Sequence, residues 1–509
     1  MNKHFLKICL LCLALLISCS KKDDIAYMGS RSCRECHEQF YELWESSFHG
    51  RALMEVNKNF VLENIESCAD TFEISGEFYT IELTITSAIL NDISSKINYP
   101  MELVLGGKYV YYFLTPMAKG KWQTLPLGYD IKRKEWFDIT SSSMRIHQDQ
   151  IDKSLHWTDR RYTFNTACYD CHVSQINNDY NLANDSYSTT WLEARTNCET
   201  CHGPAEKHNT QFLKAAKNNS TPDSTYLQTF TRSRGYKRDI VDASCVYCHA
   251  KNIRITGEYI PGEDYFQHFD LICAENSDYF ADARDLGENY TFGTWLMSPC
   301  REDERMDCLH CHTSSGRFRQ KDTPNTSCLP CHADRVANAT EHTQHAKNSP
   351  GNECIACHMP KTSFARMERS DHSMRPPVPS LTASYGSPNA CNDCHSSRST
   401  HWADSFIREH FSGRWQDKSI EYAKYLDQLR QGIDSNLDDI LPYMLKPMDD
   451  FSLTSLIRAL DNIYNESIGT LLYYFLQHSS ALVRSAAADG LGKYRDAAVD
   501  EALLKATQD

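Results

Sequence analysis

The five-residue pattern Cys-x-x-Cys-His occurs eight times in this 509-residue chain, and no other feature limits its fold so strongly. The two thiols of such a pattern lie on one side of a helical turn, where both can add to the vinyl groups of one porphyrin, and the histidine that follows coordinates the iron. We call each occurrence a haem word, and each word predicts one covalently attached haem c. In chain order, the words are Cys33, Cys36 and His37; Cys168, Cys171 and His172; Cys198, Cys201 and His202; Cys245, Cys248 and His249; Cys308, Cys311 and His312; Cys328, Cys331 and His332; Cys354, Cys357 and His358; and Cys391, Cys394 and His395.

Zinc ribbons also use paired cysteines and are the main alternative to haem. Zinc takes such pairs two at a time and has no use for a histidine directly after every second cysteine, so haem is favoured. Sixteen of the 22 cysteines lie in the words, and three lie near the N-terminus. Only Cys68, Cys273 and Cys300 remain, which allows at most one disulfide and one free thiol.

Residues 1–18 resemble a lipoprotein signal peptide. Lys3 and Lys7 come before a short apolar run, which is too short to span a membrane. The sequence Leu-Ile-Ser-Cys ending at Cys19 resembles a lipobox and predicts that Cys19 is lipidated, with an ordinary cleaved signal as the alternative. Residues 19–27 are interpreted as a linker. Covalent haem attachment takes place outside the inner membrane, so the leader and the words both predict a cell-envelope protein, either facing the periplasm or exposed on the outer membrane.

The net charge of −14 becomes more negative once haem propionates are added. This charge argues against nucleic acid as a partner. A basic redox partner protein fits better, and so does a small oxidised substrate.

The sequence predicts a mainly helical protein with little regular structure around a multihaem cytochrome c core. A first haem segment over residues 28–67 is followed by a small β-rich insert over 68–147, where β-branched and aromatic residues alternate between glycine-containing turns. Residues 148–401 form the core with seven haems. Few long periodic runs occur there, so the porphyrins must supply most of its buried apolar surface.

Residues 402–509 show helical periodicity without further haem words. The stretch 481–492 resembles a HEAT-type helical repeat, which is an interaction scaffold. A plain helical cap on the haem core, which needs no partner, is the alternative interpretation.

Eight haems need up to eight distal ligands in addition to the eight proximal histidines. About ten histidines outside the words and outside the helical region are candidates, so most haems can have two histidine ligands. The distal candidates are His49, His156, His208, His268, His342, His345 and His372.

The chain resembles the multihaem c-type cytochromes with a cytochrome c554-like domain, a family whose members often end in tetratricopeptide or HEAT repeats. The resemblance covers about residues 27–403. It implies distal roles for the histidines in several of its phrases, namely His49, His156, His208 and His372. The phrases are Gly29-Ser-Arg-Ser-Cys33, Ser47-Phe-His49, Leu155-His-Trp-Thr158, Asn165-Thr-Ala-Cys168, Cys198-Glu-Thr-Cys-His-Gly-Pro204 with His208, Cys354-Ile-Ala-Cys-His-Met-Pro360, Asp371-His-Ser-Met-Arg-Pro376 and Ser387-Pro-Asn-Ala-Cys-Asn-Asp-Cys-His395.

The chain departs from this family around the fifth word. Members of the family tend to carry one histidine shortly before that word and another just after it, whereas here Cys300 precedes it and Thr313 follows it. The haem at His312 is therefore our candidate for an open iron or for a Cys300 contact. The alternative is that His310, His342 or His345 fills the position. The chain has no Cys-x-x-Cys-Lys pattern, so the lysine-ligated site of ammonia-forming nitrite reductases is absent.

These observations predict an exported octahaem cytochrome that carries electrons along a haem chain. An oxidoreductase that acts on a small nitrogen or sulfur compound at one open haem is the second hypothesis, because a vacant coordination position allows chemistry on a bound molecule. A scaffold that docks to a respiratory complex through the helical region is the third. The sequence alone does not decide whether the chain is an enzyme.

Overall fold

The computed structural model describes residues 26–147, 150–257, 259–329, 331–411, 414–494 and 497–507. The predicted signal peptide, the lipidation site Cys19 and most of the predicted linker lie outside these residues. None of the described helices is long and apolar enough to cross a membrane.

The first haem word lies in the helix Arg31–Glu45, which bends at His37, where φ is −126°. The helix buries Tyr41 and Trp44, and the Trp44 indole Nε1 donates a 2.9 Å hydrogen bond to the backbone oxygen of Thr196. This bond ties the start of the chain to the segment that leads into the third word.

Two antiparallel sheets follow the first word. They face each other across one apolar core, in which Tyr79 and Leu90 of the four-stranded sheet meet Phe113 and Leu127 of the five-stranded sheet. The four-stranded sheet contains Phe72–Ile74, Glu77–Leu83, Ala88–Asp92 and Ile97–Pro100, and the five-stranded sheet contains Leu53–Glu55, Leu103–Gly106, Val110–Pro116, Trp122–Asp130 and Glu135–Asp138, in these spatial orders.

This β unit begins earlier than the sequence predicted. The strand Leu53–Glu55, assigned above to the first haem segment, pairs with Leu103–Gly106 in antiparallel register and forms one edge of the five-stranded sheet. The helix Lys58–Asn64 comes next, and its Phe60 and Val61 are buried in the same core. Three residues of strand carry too little periodicity to be recognised without their pairing partner.

The segment with seven words consists of short helices and two-stranded hairpins joined by loops. Gly203, at φ +78°, ends the helix of the third word after little more than one turn. The helices are Ile139–Ser142, Phe164–Ala167, Tyr169–His172, Cys198–His202, Glu206–Lys217, Arg238–Val246, Phe292–Leu296, Cys308–Cys311, Ala333–Ala337, Ala339–Thr343, Cys354–His358, Pro379–Tyr385 and Ala390–Cys394. The paired strands are Ile146–His147 with Gln150–Ile151, Tyr180–Asn181 with Ser186–Tyr187, Asn252–Arg254 with Phe269–Leu271, and Lys361–Phe364 with Met367–Ser370.

The C-terminal region is helical, as predicted, and it does not stand apart from the haem segment. Its residues share one apolar cluster with residues 243–297, in which Phe451 and Leu456 pack with Tyr279 and Trp295. The guanidinium of Arg458 also pairs with Asp270 at 2.8 Å. The likeness to HEAT repeats stays a prediction. The helices are Thr400–His410, Arg414–Arg430, Leu437–Met444, Asp450–Ala459, Glu466–Phe475, Ala481–Leu491 and Ala497–Ala506.

Candidate functional site

Most haem words fall on a short helical turn. In the third word, the Asn197 side chain caps the helix by accepting a hydrogen bond from the backbone N–H of Thr200 at 3.0 Å. The Asn389 side chain does the same for Cys391 in the eighth word. These turns hold the paired cysteines on one face. Their free thiols occupy the positions that thioether sulfurs take once haem is attached.

Five proximal histidines each face a second histidine ring from outside their own word. The ring centres of these pairs are separated by 6.1–6.3 Å. An iron between two imidazoles, with metal–nitrogen bonds of about 2 Å, would hold the ring centres roughly 6 Å apart. The residues present therefore fit haems with two histidine ligands. The pairs are His37 with His208, His249 with His49, His312 with His372, His358 with His342, and His395 with His345.

Hydrogen bonds to the backbone orient many of these rings. The Nδ1 atom of His208 lies 2.9 Å from the backbone oxygen of Tyr226, and that of His372 lies 2.9 Å from the oxygen of Ser370. A ring that donates through Nδ1 keeps Nε2 free of a proton and available to a metal. The proximal rings of His172 and His202 are held in the same way, by the backbone oxygens of Ala52 at 2.7 Å and Gln228 at 2.6 Å.

Burial keeps several of these imidazoles neutral, which is the form that binds iron. Desolvation lowers the pKa of His249 to about 3, with the nearby His49 as the next cause. Burial also lowers the pKa values of His172 and His372 below the ordinary value.

Two glycines make room for distal histidines, and the sequence analysis did not single them out. A Cβ atom on Gly351 would overlap Cδ2 of His345, and one on Gly316 would lie 3.1 Å from Cε1 of His49. Gly316 also has a positive φ of +81°, which disfavours other residues. No sequence signal marks these positions, because each close contact joins a loop glycine to a ring fixed by tertiary packing.

Substitution of Gly351 by alanine should displace the His345 ring from His395 and open the haem of the eighth word. We expect the number of haems that bind carbon monoxide in the reduced protein to rise by one, measured as a difference spectrum against total haem. Gly257→Ala is the matched control, since nothing lies within 4 Å of its added Cβ. An unchanged carbon monoxide count in Gly351→Ala would show that His345 does not ligate this haem.

Three proximal histidines, His172, His202 and His332, have no facing histidine ring among the described residues. The side chain of His147, which is not in any haem word, lies outside the described part of the structure.

Two predicted distal ligands are engaged elsewhere. The Nε2 atom of His156 lies 3.0 Å from the carboxylate of Glu77 in the β unit, and its ring lies beside Trp157. The Nε2 atom of His268 lies 3.2 Å from the carboxylate of Glu263. The structure pairs neither ring with a proximal histidine, because each belongs to a segment with its own carboxylate partner.

The prediction of an open haem at His312 is not supported by the structure. The ring of His372 faces His312 at 6.3 Å, although sixty residues separate them in the chain. The buried ion pair of Asp371 with Arg284, at 2.9 Å, holds the backbone beside His372. Cys300 instead lies near Cys311, Cys328 and Cys331, between the fifth and sixth words.

Thiols of different words lie beside one another. The thiol of Cys198 is the neighbour of Cys33, and it is the main cause that lowers the pKa of Cys33 to about 7. The buried carboxylate of Glu199 accepts a 2.7 Å hydrogen bond from the backbone of Gly29, so the first and third words are joined twice. Similar thiol contacts join Cys248 to Cys171, Cys308 to Cys245, and Cys328 to Cys354.

Helix contacts and further short distances show which of the remaining words are neighbours. The helix of the third word packs on Arg238–Val246, which carries part of the fourth, and the helix of the seventh packs on that of the eighth. The Nε2 atom of His310, within the fifth word, lies 3.3 Å from the backbone oxygen of Ser327, beside the sixth. The words therefore form a row in the order one, three, four, five, six, seven and eight, and the second word joins this row at the fourth.

Exposure differs along this row. Residues 34–37 of the first word and 393–395 of the eighth are exposed, and these words are the two ends of the row. Residues 331–335, which end and follow the sixth word, are also exposed.

Comparisons with known proteins agree with this arrangement. A family profile described as "Cytochrome c554 and c-prime" matches residues 32–74 and 132–203. The crystal structure of the outer cell wall cytochrome OcwA superposes with a TM-score of 0.50 at 14% identity, covering 91% of this chain and 99% of that chain. No curated protein matches the sequence. These findings support a multihaem c-type cytochrome with covalently bound haem c and an electron-transfer role.

Proposed function

We propose that this protein is an exported octahaem cytochrome that carries electrons along its row of haems in the bacterial cell envelope. The continuous row of contacting words is the observation that carries the proposal. Haems attached to neighbouring words lie close together, and electrons can then pass between neighbours without a diffusing carrier. The exposed words at the two ends of the row, the first and the eighth, are suited to entry and exit.

The location and partners belong to the same proposal. The predicted lipobox at Cys19 favours a lipid anchor in the envelope, and the fold resembles that of a protein named for the outer cell wall. A net charge of −14 favours a basic redox partner protein over an acidic one.

Rapid electron equilibration within single molecules is the expected behaviour of such a row. When the oxidised holoprotein is mixed with less reductant than its haems can accept, electrons should redistribute among all haems in a step whose rate does not depend on protein concentration. Stopped-flow spectra measure this redistribution, and pyridine haemochrome should count eight haems. Redistribution only through collisions between molecules, or clearly fewer than eight haems, would overturn the proposal.

A small-molecule oxidoreductase is the second candidate function. It is favoured by one observation, the absence of a facing histidine for His332 among the described residues. The third candidate, a scaffold that docks through the helical region, has less support, because the inner face of that region is already buried against residues 243–297.

A further inference from the structure

The angle between facing histidine rings separates the fourth word from the others. The ring planes of His49 and His249 lie at 73° to each other, which is close to perpendicular. In the other four facing pairs, the corresponding angles are 12°, 21°, 33° and 42°. Because an axial imidazole stands upright on the porphyrin, the angle between two facing rings is also the angle between the two ligand planes at the iron. The fourth haem therefore has a ligand geometry that the other four do not share.

This angle affects the electronic state of a ferric iron with two imidazole ligands. Parallel ligand planes raise one of two iron d orbitals above the other, and the electron hole of the low-spin ferric iron then occupies the raised orbital. This arrangement stabilises the ferric form, whereas a ferrous iron fills both orbitals and gains nothing. Perpendicular planes raise both orbitals equally. The ferric form then loses this stabilisation, and the haem becomes easier to reduce, which is one way in which axial ligands control haem potentials.

Three contacts fix the position of His49. Its backbone oxygen accepts a 3.1 Å hydrogen bond from the N–H of Thr196. Gly316 lies against its ring, since a Cβ atom at Gly316 would be 3.1 Å from Cε1 and 3.7 Å from Nδ1. The backbone of Ser315 is also a neighbour of the ring. A larger residue at position 316 would push this edge of the His49 ring and turn its plane.

The turn that carries Gly316 follows the fifth word and is itself held in place. The N–H of Gly316 donates to the backbone oxygen of Thr313 at 2.8 Å, and the N–H of Thr313 donates to that of Arg317 at 2.8 Å. The guanidinium of Arg317 donates a 2.6 Å hydrogen bond to the backbone oxygen of Leu43, which is near His49 in the chain. The turn is therefore tied to the segment whose ring it contacts.

The opposite ring is fixed by a different segment. The N–H of His249 donates to the backbone oxygen of Cys245 at 3.1 Å, and the backbone oxygen of His249 accepts a 3.1 Å hydrogen bond from the N–H of Phe292. The two rings are thus positioned by separate sets of contacts. The angle between them is a property of how these segments pack.

We propose that Gly316 is a positioning residue that holds His49 nearly perpendicular to His249, and that this geometry gives the fourth haem the most positive reduction potential of the five haems with facing histidines. This proposal rests on the octahaem row proposed above. The fourth word lies beside the second, third and fifth words. Electrons that enter at either end of the row therefore collect at this branch point, from which they pass along any of the three branches.

Electron paramagnetic resonance of the holoprotein during a reductive titration is the first measurement. Nearly perpendicular ligand planes give a strongly anisotropic low-spin ferric signal at low field, whereas nearly parallel planes give rhombic signals. We expect the oxidised wild-type protein to show such a low-field signal and His49→Ala to lack it. As the wild-type protein is reduced, this signal should disappear before most of the rhombic signal is lost.

Gly316→Ala tests the positioning role. The added methyl group should turn the His49 ring without removing it. The low-field signal should therefore shift and its midpoint potential should change, while the carbon monoxide count of the reduced protein stays at the wild-type value. Gly76→Ala is the matched control, because Gly76 has a similar φ of +83° and nothing lies within 4 Å of its added Cβ. It carries the same backbone cost and should leave the signal and its potential unchanged.

Wild-type protein without a low-field signal overturns the proposal, and so does a low-field signal that survives in His49→Ala or is unchanged in Gly316→Ala. If Gly316→Ala does not fold, the wild-type titration decides: a low-field signal that outlasts most of the rhombic signal overturns the proposal. Eight haems with fast internal redistribution would leave the electron-transfer function standing in each of these cases. Redistribution only through collisions would instead overturn that function, so the two failures are distinguishable.

Discussion

Substitution of His49 by alanine should open the haem at His249 and disturb electron transfer more than the loss of any other distal histidine. The fourth word touches the second, third and fifth words, so it is the branch point of the row. Loss of an axial ligand should change the reduction potential of this haem by on the order of 0.1 V, because axial ligands are the main control on haem potentials. Electrons would then occupy the fourth haem to a different extent than its neighbours, although they must pass through this haem to cross the row.

Two measurements check this expectation. The carbon monoxide count of the reduced protein should rise by one, and internal electron redistribution after partial reduction should lose most of its fast phase. His478→Ala is the control, because His478 lies in the helical region with its ring against Phe475 and should change neither quantity. A variant of His49 with the wild-type carbon monoxide count would show that another residue ligates the fourth haem.

Substitution of Phe451 by alanine should destabilise the haem core as well as the helical region. The Phe451 ring is fully buried, lies 5.8 Å from the ring of Tyr279, and fills the space that a side chain at Gly293 would occupy. Removing a buried phenylalanine ring costs about 3–5 kcal/mol in the free energy of unfolding. Because Tyr279 and Gly293 belong to the haem segment, the loss should appear in both parts of the molecule.

Thermal unfolding of the holoprotein, followed by both helix content and the haem spectrum, measures this coupling. Both signals should shift together to lower temperature in Phe451→Ala. Tyr474→Ala is the control, since 63% of this side chain is exposed and such surface changes alter stability by only about 0.5 kcal/mol. If the helical signal moved alone, the helical region would be an independent domain, and docking through it would regain support.

The sequence alone makes a prediction of the haem attachment sites because attachment chemistry is local. Two thiols and a proximal imidazole lie within five residues, so a pattern such as Cys198 to His202 contains the whole unit. The β unit and the helical region were also predictable, since their periodicity repeats along the chain. The edge strand Leu53–Glu55 escaped prediction, because it is defined by its pairing with Leu103–Gly106 rather than by its own pattern.

The sequence named the facing histidines among its distal candidates but could not assign each of them to its haem, because most come from another part of the chain. His249 faces His49 across two hundred residues, while His156, which belongs to a family-like phrase, pairs with Glu77 instead. The same reason applies to the haem at His312, for which the sequence predicted an open coordination position. In the folded chain, tertiary packing places His372 opposite His312. A sequence motif shared with the family shows which segment contains a histidine. Only the packing of segments against one another determines which residue its ring faces.

The sequence by itself predicts that the chain attaches eight haems, and which cysteines and histidines hold them, because covalent attachment needs only neighbours in the chain. The tertiary structure decided the order of the words, the pairing of five histidines across them, and the burial of the helical region against residues 243–297. These properties depend on contacts between segments far apart in the sequence. Their geometry is set by packing, on which local patterns carry no information.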